Sequence, residues 1–278
     1  MISDFETTKV YFSQLINDEK YQDDFQEIKA ILEHSNIPIN FLPKTNDIWA
    51  RDYMPIQISK DKFIEFRYDP DYLQGNQKGY RNLKTYPDLV CDALGLKTIK
   101  SDVILDGGNV VKSRNTIILT DKLVYENRHH YSKKTLLKSL HEIFEVDNVV
   151  LIPWDKLEPY GHSDGMLRFI NEETILLNHI YDEEKEIYQP LDKAGLHIEK
   201  LKFSEQENKN RNWAYINFLL MKDIILIPKF EIVEDIQALE QLQQLYPAYA
   251  SKMFLVSMKS IVKNGGALNC ITWTIKAN

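Results

Sequence analysis

The stretch GHSDGMLRFINEETILLN, residues 161–178, holds two short apolar runs, MLRFI and TILLN, separated by Asn171-Glu172-Glu173. Two such runs joined by charged, turn-forming residues predict an antiparallel hairpin. The arrangement recurs in both directions along the chain: MPIQI then FIEFRY, NVV then TIILT, INFLL then IILIP across Lys222-Asp223, and finally ALNCITWTI. Before each hairpin comes a segment with helical apolar spacing, then another short apolar run. Phe25, Ile28, Ile31 and Leu32 predict a helix over 22–33. Leu136, Leu137, Leu140, Ile143 and Phe144 predict one over 131–144, and Ile232, Ile236, Leu239, Leu242 and Leu245 one over 232–245. Weaker patterns cover 86–94 and 186–194. The intervening runs are IPINFLP, TIKSDVIL, VVLIP, HIEKLKF and MFLVS. The unit read this way is helix, strand, hairpin, and it appears about five times in an α/β chain.

A small polar or reactive residue opens the first hairpin strand of each unit: Asp52, Asp106, His162, Asn217 and Cys270, spaced 54, 56, 55 and 53 residues apart. If the units surround a pseudo-fivefold axis with equivalent strands at its centre, these five positions converge on one pocket. The 278 residues accommodate five such repeats with little to spare, which predicts one closed domain over 1–278.

Composition narrows the chemistry. The net charge of −7 and pI near 5.6 argue against a phosphate-neutralising surface, so no nucleic-acid partner is expected, and a small cation suits the sign better. Two distant cysteines, Cys91 and Cys270, are too few for a disulfide framework and suit a reducing compartment. The first residues lack a basic stretch followed by an apolar one, and no apolar run approaches a membrane span. The expectation is a soluble cytoplasmic protein. Polar stretches such as Asp182–Glu186 and Glu205–Arg211 read as exposed loops or helix ends.

Each motif alone has a plain structural explanation. Trp49-Ala50-Arg51-Asp52 is accounted for by a core tryptophan beside an Arg–Asp pair, and Asp106-Gly107-Gly108-Asn109 by a turn. His162 and Asp164 lie two apart, which on a strand aims both side chains to one side and supplies a general acid/base beside an anion. A surface His–Asp pair explains them as well. Cys270 lies in an apolar strand, where cysteine is usually an inert small hydrophobe. The period is what favours function, because Cys270 occupies the slot that Asp52 and His162 occupy in their own units. Cys91 lies off the period and reads as core.

In this order, the segments WxRD at 49–52, DGGN at 106–109, GHSD at 161–164, Ala214–Phe218 and GGALNCIT at 265–272 resemble the guanidine-modifying pentein superfamily. The similarity is greatest to its agmatine deiminase and bacterial peptidylarginine deiminase branch. The resemblance implies a pentein fold, a fivefold pseudosymmetric α/β propeller of ββαβ repeats. It implies Cys270 as nucleophile and His162 as acid/base. Asp52 and Asp164 would grip the guanidinium, and Asp106 sits where many relatives place a Glu beside the His. Trp49, Arg51, Gly108, Asn217 and Asn269 are expected around the substrate, with Trp49 beside its alkyl portion. Asn269 stands where agmatine deiminases usually carry a His.

The function expected is hydrolysis of a guanidinium substrate, such as agmatine or an arginine derivative, to its ureido product and ammonia, without cofactor or metal and with a possible homodimer. The alternatives are an amidinotransferase of the same fold, a non-enzymatic binding module, and a metal-dependent hydrolase using His162, Asp164, Asp106 and Cys270. The last lacks the second histidine that most catalytic zinc sites use.

Overall fold

The computed structural model describes residues 1–74, 80–203 and 212–277; the polar stretch Glu205–Arg211 lies outside the described residues. Fifteen strands follow one another along the described chain: β1 (Lys9–Ser13), β2 (Ile39–Leu42), β3 (Ile56–Ser59), β4 (Lys62–Arg67), β5 (Ile99–Ile104), β6 (Val111–Lys112), β7 (Thr116–Thr120), β8 (Asn148–Ile152), β9 (Leu167–Phe169), β10 (Thr174–Asn178), β11 (His197–Leu201), β12 (Leu219–Met221), β13 (Ile224–Lys229), β14 (Met253–Ser257) and β15 (Thr272–Ile275). They form five three-stranded sheets, β15-β1-β2, β3-β4-β5, β6-β7-β8, β9-β10-β11 and β12-β13-β14. In every sheet the middle strand pairs antiparallel with one neighbour and parallel with the other. A helix links the middle strand to its parallel partner, as the crossover of a parallel pair requires. These helices are Gln22–His34, Pro87–Leu94, Lys133–Phe144, Lys185–Lys193 and Val233–Leu245, all within two residues of the expected positions. The middle strands β7, β10 and β13 are apolar almost throughout because both faces are covered.

Three expectations are corrected. The cycle of elements is right but its phase is shifted: hydrogen bonding groups each hairpin with the helix and strand that follow, giving ββαβ units. The last hairpin is made with β1, at the other end of the chain, by the register Lys9↔Ile275, Val10↔Thr274, Tyr11↔Trp273 and Phe12↔Thr272. No local turn announces a partner some 260 residues away, so β1 leaves no hairpin signature. Finally, the periodic residues sit on short helical turns just ahead of the strands. Asp52 lies in the turn Ala50–Tyr53, Asp106 and His162 lead into Gly107–Asn109 and Ser163–Gly165, and Asn217 follows Asn212–Tyr215. His162 and Asp164 are therefore not on a strand; Ser163 O accepts the Met166 N–H at 3.0 Å, which curls this segment.

The N-terminal turn Asp4–Glu6 ties several units together. Asp4 pairs with Lys112 of β6 at 3.2 Å and with Arg168 of β9 at 2.9 Å, while Glu6 receives Lys276 at 2.9 Å. Lys112 Nζ also donates to Ile2 O at 2.7 Å. Burial acts to raise the Asp4 pKa, but Lys112 and Arg168 together hold it at about 2. A depressed carboxyl pKa contributes stability that is complete above the unfolded value of 3.8 and is lost as pH falls toward 2. Asp4→Asn leaves two buried cations without their carboxylate and is expected to cost about 3–5 kcal/mol, read by urea denaturation at pH 7. The variant should also lose the part of the acid transition that lies between pH 3.8 and about 2.

Candidate active site

Four of the five turns carry chemically active side chains to one place, and the fifth braces it. Asn217 Oδ1 accepts the backbone N–H groups of Asn269 (3.1 Å) and Cys270 (3.3 Å), and the Cys270 thiol lies 3.3 Å from the same oxygen. One amide thus sets the backbone that bears Cys270. Asp164 lies beside it, with Oδ2 3.8 Å from Sγ and accepting Asn269 Nδ2 at 2.6 Å. Cys270 and Asp164 are 8 % and 2 % exposed, so both groups act in a water-poor setting.

His162 lies between two carboxylates. Nε2 is 3.0 Å from Asp106 Oδ2 and Nδ1 is 3.7 Å from Asp52 Oδ1, so both ring nitrogens face acceptors, as an imidazolium requires. Burial works against that charge, yet Asp52, then the hydrogen bond to Asp106, raise the His162 pKa to about 10. Asp52 itself is pushed well above the carboxylate range by burial, with Asp106, Asp164 and Asp47 adding to the effect and His162 opposing it. Burial, then Asp164 and Asp52, likewise push the Cys270 thiol up. Gly108 is a glycine of necessity. Its N–H donates to Asp52 Oδ1 at 3.1 Å, and a Cβ there would lie 2.5 Å from His162 Nδ1 and 2.6 Å from Asp52 Oδ1.

Two cavities meet at this cluster. The first, about 420 Å³, is lined by Asp18, Asp47, Trp49, Asp52, Tyr68 and Tyr72 among others. The second, about 680 Å³, is lined by Asp155, Glu158, Asp164, Tyr181, Trp213 and Asn217 among others. Cys270 and His162 line both. Trp49 lines the first cavity, its ring so close to Gly266 that a Cβ there would approach Cζ3 to 2.1 Å.

Arg51, Gly108 and Asn269 were expected around the substrate, but none of them lines either cavity. Successive residues of a helical turn diverge by roughly 100°, so with Asp52 facing the cavity Arg51 turns away. Its Nε donates to Asn269 O at 3.4 Å, and its charge is felt by Asp4. Asn269 is occupied with Asp164. Asp106 lies behind His162 and lines neither cavity.

Two residues off the period join the site. Tyr72 donates to Asp106 Oδ2 at 2.9 Å, giving a Tyr72–Asp106–His162 chain. Asp47 is raised by burial to about 7, against the Trp49 N–H that Oδ1 accepts at 2.9 Å. Both lie outside the periodic motifs, in connecting segments that no repeat pattern singles out. Among the described residues no group of three or more His, Cys, Asp and Glu is disposed to hold a metal ion, and no helix is long and apolar enough to cross a membrane.

A ring of five ββαβ units with Cys, His and paired carboxylates at its centre is the architecture of the penteins. The profile of the Porphyromonas-type peptidyl-arginine deiminases matches residues 1–275, and the chain belongs to that family. It is 25 % identical over 294 residues to the agmatine deiminase of Ectopseudomonas mendocina, covering 89 % of this chain and 79 % of that one. The structure of the agmatine deiminase of Enterococcus faecalis superposes with a TM-score of 0.78 at 21 % identity, covering 100 % of this chain and 95 % of the other. An amidinotransferase from Microseira wollei shares the fold with a TM-score of 0.64 at 13 % identity, covering 100 % and 97 %.

The two cysteines should differ in reactivity toward a cation. Cys91 is 1 % exposed and its thiol is pushed up to about 12, chiefly by burial. Cys270 opens to both cavities and has carboxylates around it that attract a cation. 2-Chloroacetamidine is expected to label Cys270 before Cys91 and faster than neutral 2-chloroacetamide does, as peptide mapping with time would show.

Proposed function

We propose that this protein is a cofactor-independent guanidine deiminase in which Cys270 is the nucleophile and His162 the acid/base. The observation that carries the reading is the convergence of Cys270, His162, Asp52 and Asp164 on one water-poor cluster with an open cavity on either side. A guanidinium is planar and permanently charged and presents fixed donors that two carboxylates can satisfy edge-on. Asp52 and Asp164 flank Cys270, so a guanidinium between them sets its carbon against Sγ. Pre-paid orientation of this kind is worth roughly 7–11 kcal/mol in favourable cases.

The charges explain how the thiol is made reactive. Without substrate, burial and the carboxylates hold the proton on Cys270. The arriving cation offsets Asp52 and Asp164, and the imidazolium of His162 adds a second positive charge, so the thiol proton is released to solvent through the open cavities and the thiolate is favoured when substrate is in place. Attack gives a tetrahedral adduct, and His162 protonates the departing ammonia. A covalent thiouronium remains. His162 then takes a proton from water, which adds to the same carbon, and the ureido product leaves Cys270 free.

The first cavity favours a substrate whose far end is not anionic. Asp18, Asp47 and Asp52 line it, against Lys20 as the cationic side chain beyond His162. An alkylguanidine with a distal amine, such as agmatine, fits those walls better than free arginine with its carboxylate.

Cys270→Ser should abolish ureido product from every guanidine the wild type accepts; undiminished product would refute the assignment. Asp47→Asn should lower kcat/KM for agmatine by about tenfold through KM while leaving kcat/KM for n-propylguanidine nearly unchanged, as removal of a uniform binding contact predicts. Equal losses for both substrates would place the amine elsewhere.

A further inference from the structure

The two cavities share some walls and differ in others. Asp52 lines only the first and Asp164 only the second, while Cys270, His162, Tyr160, Asn264 and Gly265 line both. The partition is the ring of Tyr160 set against the backbone at Gly265, so close that a Cβ there would lie 2.8 Å from Oη and 2.9 Å from Cε2. A guanidinium held between Asp52 and Asp164 therefore has one end toward each cavity. Aromatic walls that suit an alkyl chain are more numerous in the first, with Tyr21, Trp49, Tyr68 and Tyr72 against Tyr181 and Trp213 in the second. With the tail there, the unsubstituted amino group faces the second.

Resting on the deiminase reading above, we infer that the second cavity is the nucleophile's own passage, through which ammonia departs and water or another small nucleophile arrives while the substrate tail still fills the first. Its walls suit that traffic. Asp155, Glu158 and Asp164 outnumber Lys263 there, which favours the departure of ammonia as ammonium. Glu158 is anchored by the N–H groups of Tyr160 at 3.0 Å, Gly161 and His162 at 3.4 Å, so its charge is fixed beside the acid/base.

The passage gives the site a second activity. Hydroxylamine is small enough to follow the path of water. Its nitrogen adds to the thiouronium carbon, the C–S bond breaks, Cys270 leaves as thiolate, and the proton shed by the nitrogen returns to the thiol through His162. The product is an N-hydroxyguanidine carrying the substrate's own tail, formed in place of the urea.

Two measurements decide the matter. In the first, wild-type protein turns over agmatine or ethylguanidine with hydroxylamine present, and the ratio of N-hydroxyguanidine to urea is read by mass spectrometry. Separate passages predict the same ratio for both substrates; a ratio that falls several-fold with the longer tail means that nucleophile and tail share one route, and overturns the inference. The second uses Gly165→Phe. Gly165 lines the second cavity, and a Cβ there meets nothing within 4 Å, so the ring extends into the passage. Blocking release and hydrolysis should lower kcat about tenfold or more with KM unchanged or lower, and intact mass should show Cys270 carrying substrate less ammonia. A raised KM without adduct would put the tail in the second cavity, and unchanged kcat would leave the passage without a role; either overturns the inference. Should the variant be inert, the tail-length ratio on wild type decides alone. Wild type that gives neither product nor adduct from any guanidine instead rejects the deiminase reading itself.

Discussion

Asp52, Asp106 and Asp164 carry their carboxyl groups into a space that water reaches poorly, and isolated buried charges are costly unless they are paired and hydrogen-bonded. The local architecture answers that demand. His162 lies between Asp52 and Asp106, the Gly108 N–H and the Tyr72 hydroxyl donate to the same two carboxylates, and Asn269 covers Asp164. One imidazolium does not balance three carboxylates and a thiol. The site is left short of positive charge, which in the proposed reaction a guanidinium supplies beside the Cys270 sulfur. Under that proposal affinity and activation have a common origin, because the ion that is attracted is also the ion that favours loss of the thiol proton.

On the far side the sign is reversed. Lys112 and Arg168 are buried against Asp4, and Arg51 adds its charge to the same neighbourhood. Arg51 and Asp52 are adjacent in sequence but face opposite ways from one helical turn, so a single short segment contributes a cation to one cluster and an anion to the other. The N-terminal turn closes the cationic side with Asp4 and Glu6. An overall charge of −7 gives no hint of this separation, since it sums over both clusters and the surface.

Much of the fold is legible in the sequence because the repeat amplifies weak local signals. One helix with apolar residues at 25, 28, 31 and 32 is an ordinary observation; five such segments alternating with paired apolar runs at a steady period are not. The same period singles out Cys270 from Cys91, which is also buried but belongs to a helix. What escapes is whatever depends on contact between distant segments. β1 finds its partner only at the other end of the chain. Tyr72 and Asp47 reach the site from connecting segments, whose course no periodicity governs. The direction in which Arg51 points follows from a helical turn too short to leave a pattern. Asn217 is visible as a periodic position, but its work as a brace for the backbone of Asn269 and Cys270 is visible only in three dimensions.

The antiparallel pairing of β1 with β15 also orders events in time. Synthesis runs from the N-terminus, so β1 and β2 emerge first and β15 only after the other four units are complete. Until then β1 has its parallel partner β2 on one side and an open edge on the other, a surface that invites mispairing. The turn bearing Cys270 precedes β15 directly. Cys270 is therefore seated only when β15 docks on β1, and a ring interrupted before that step exposes an unpaired strand and leaves the central cluster without its thiol in place.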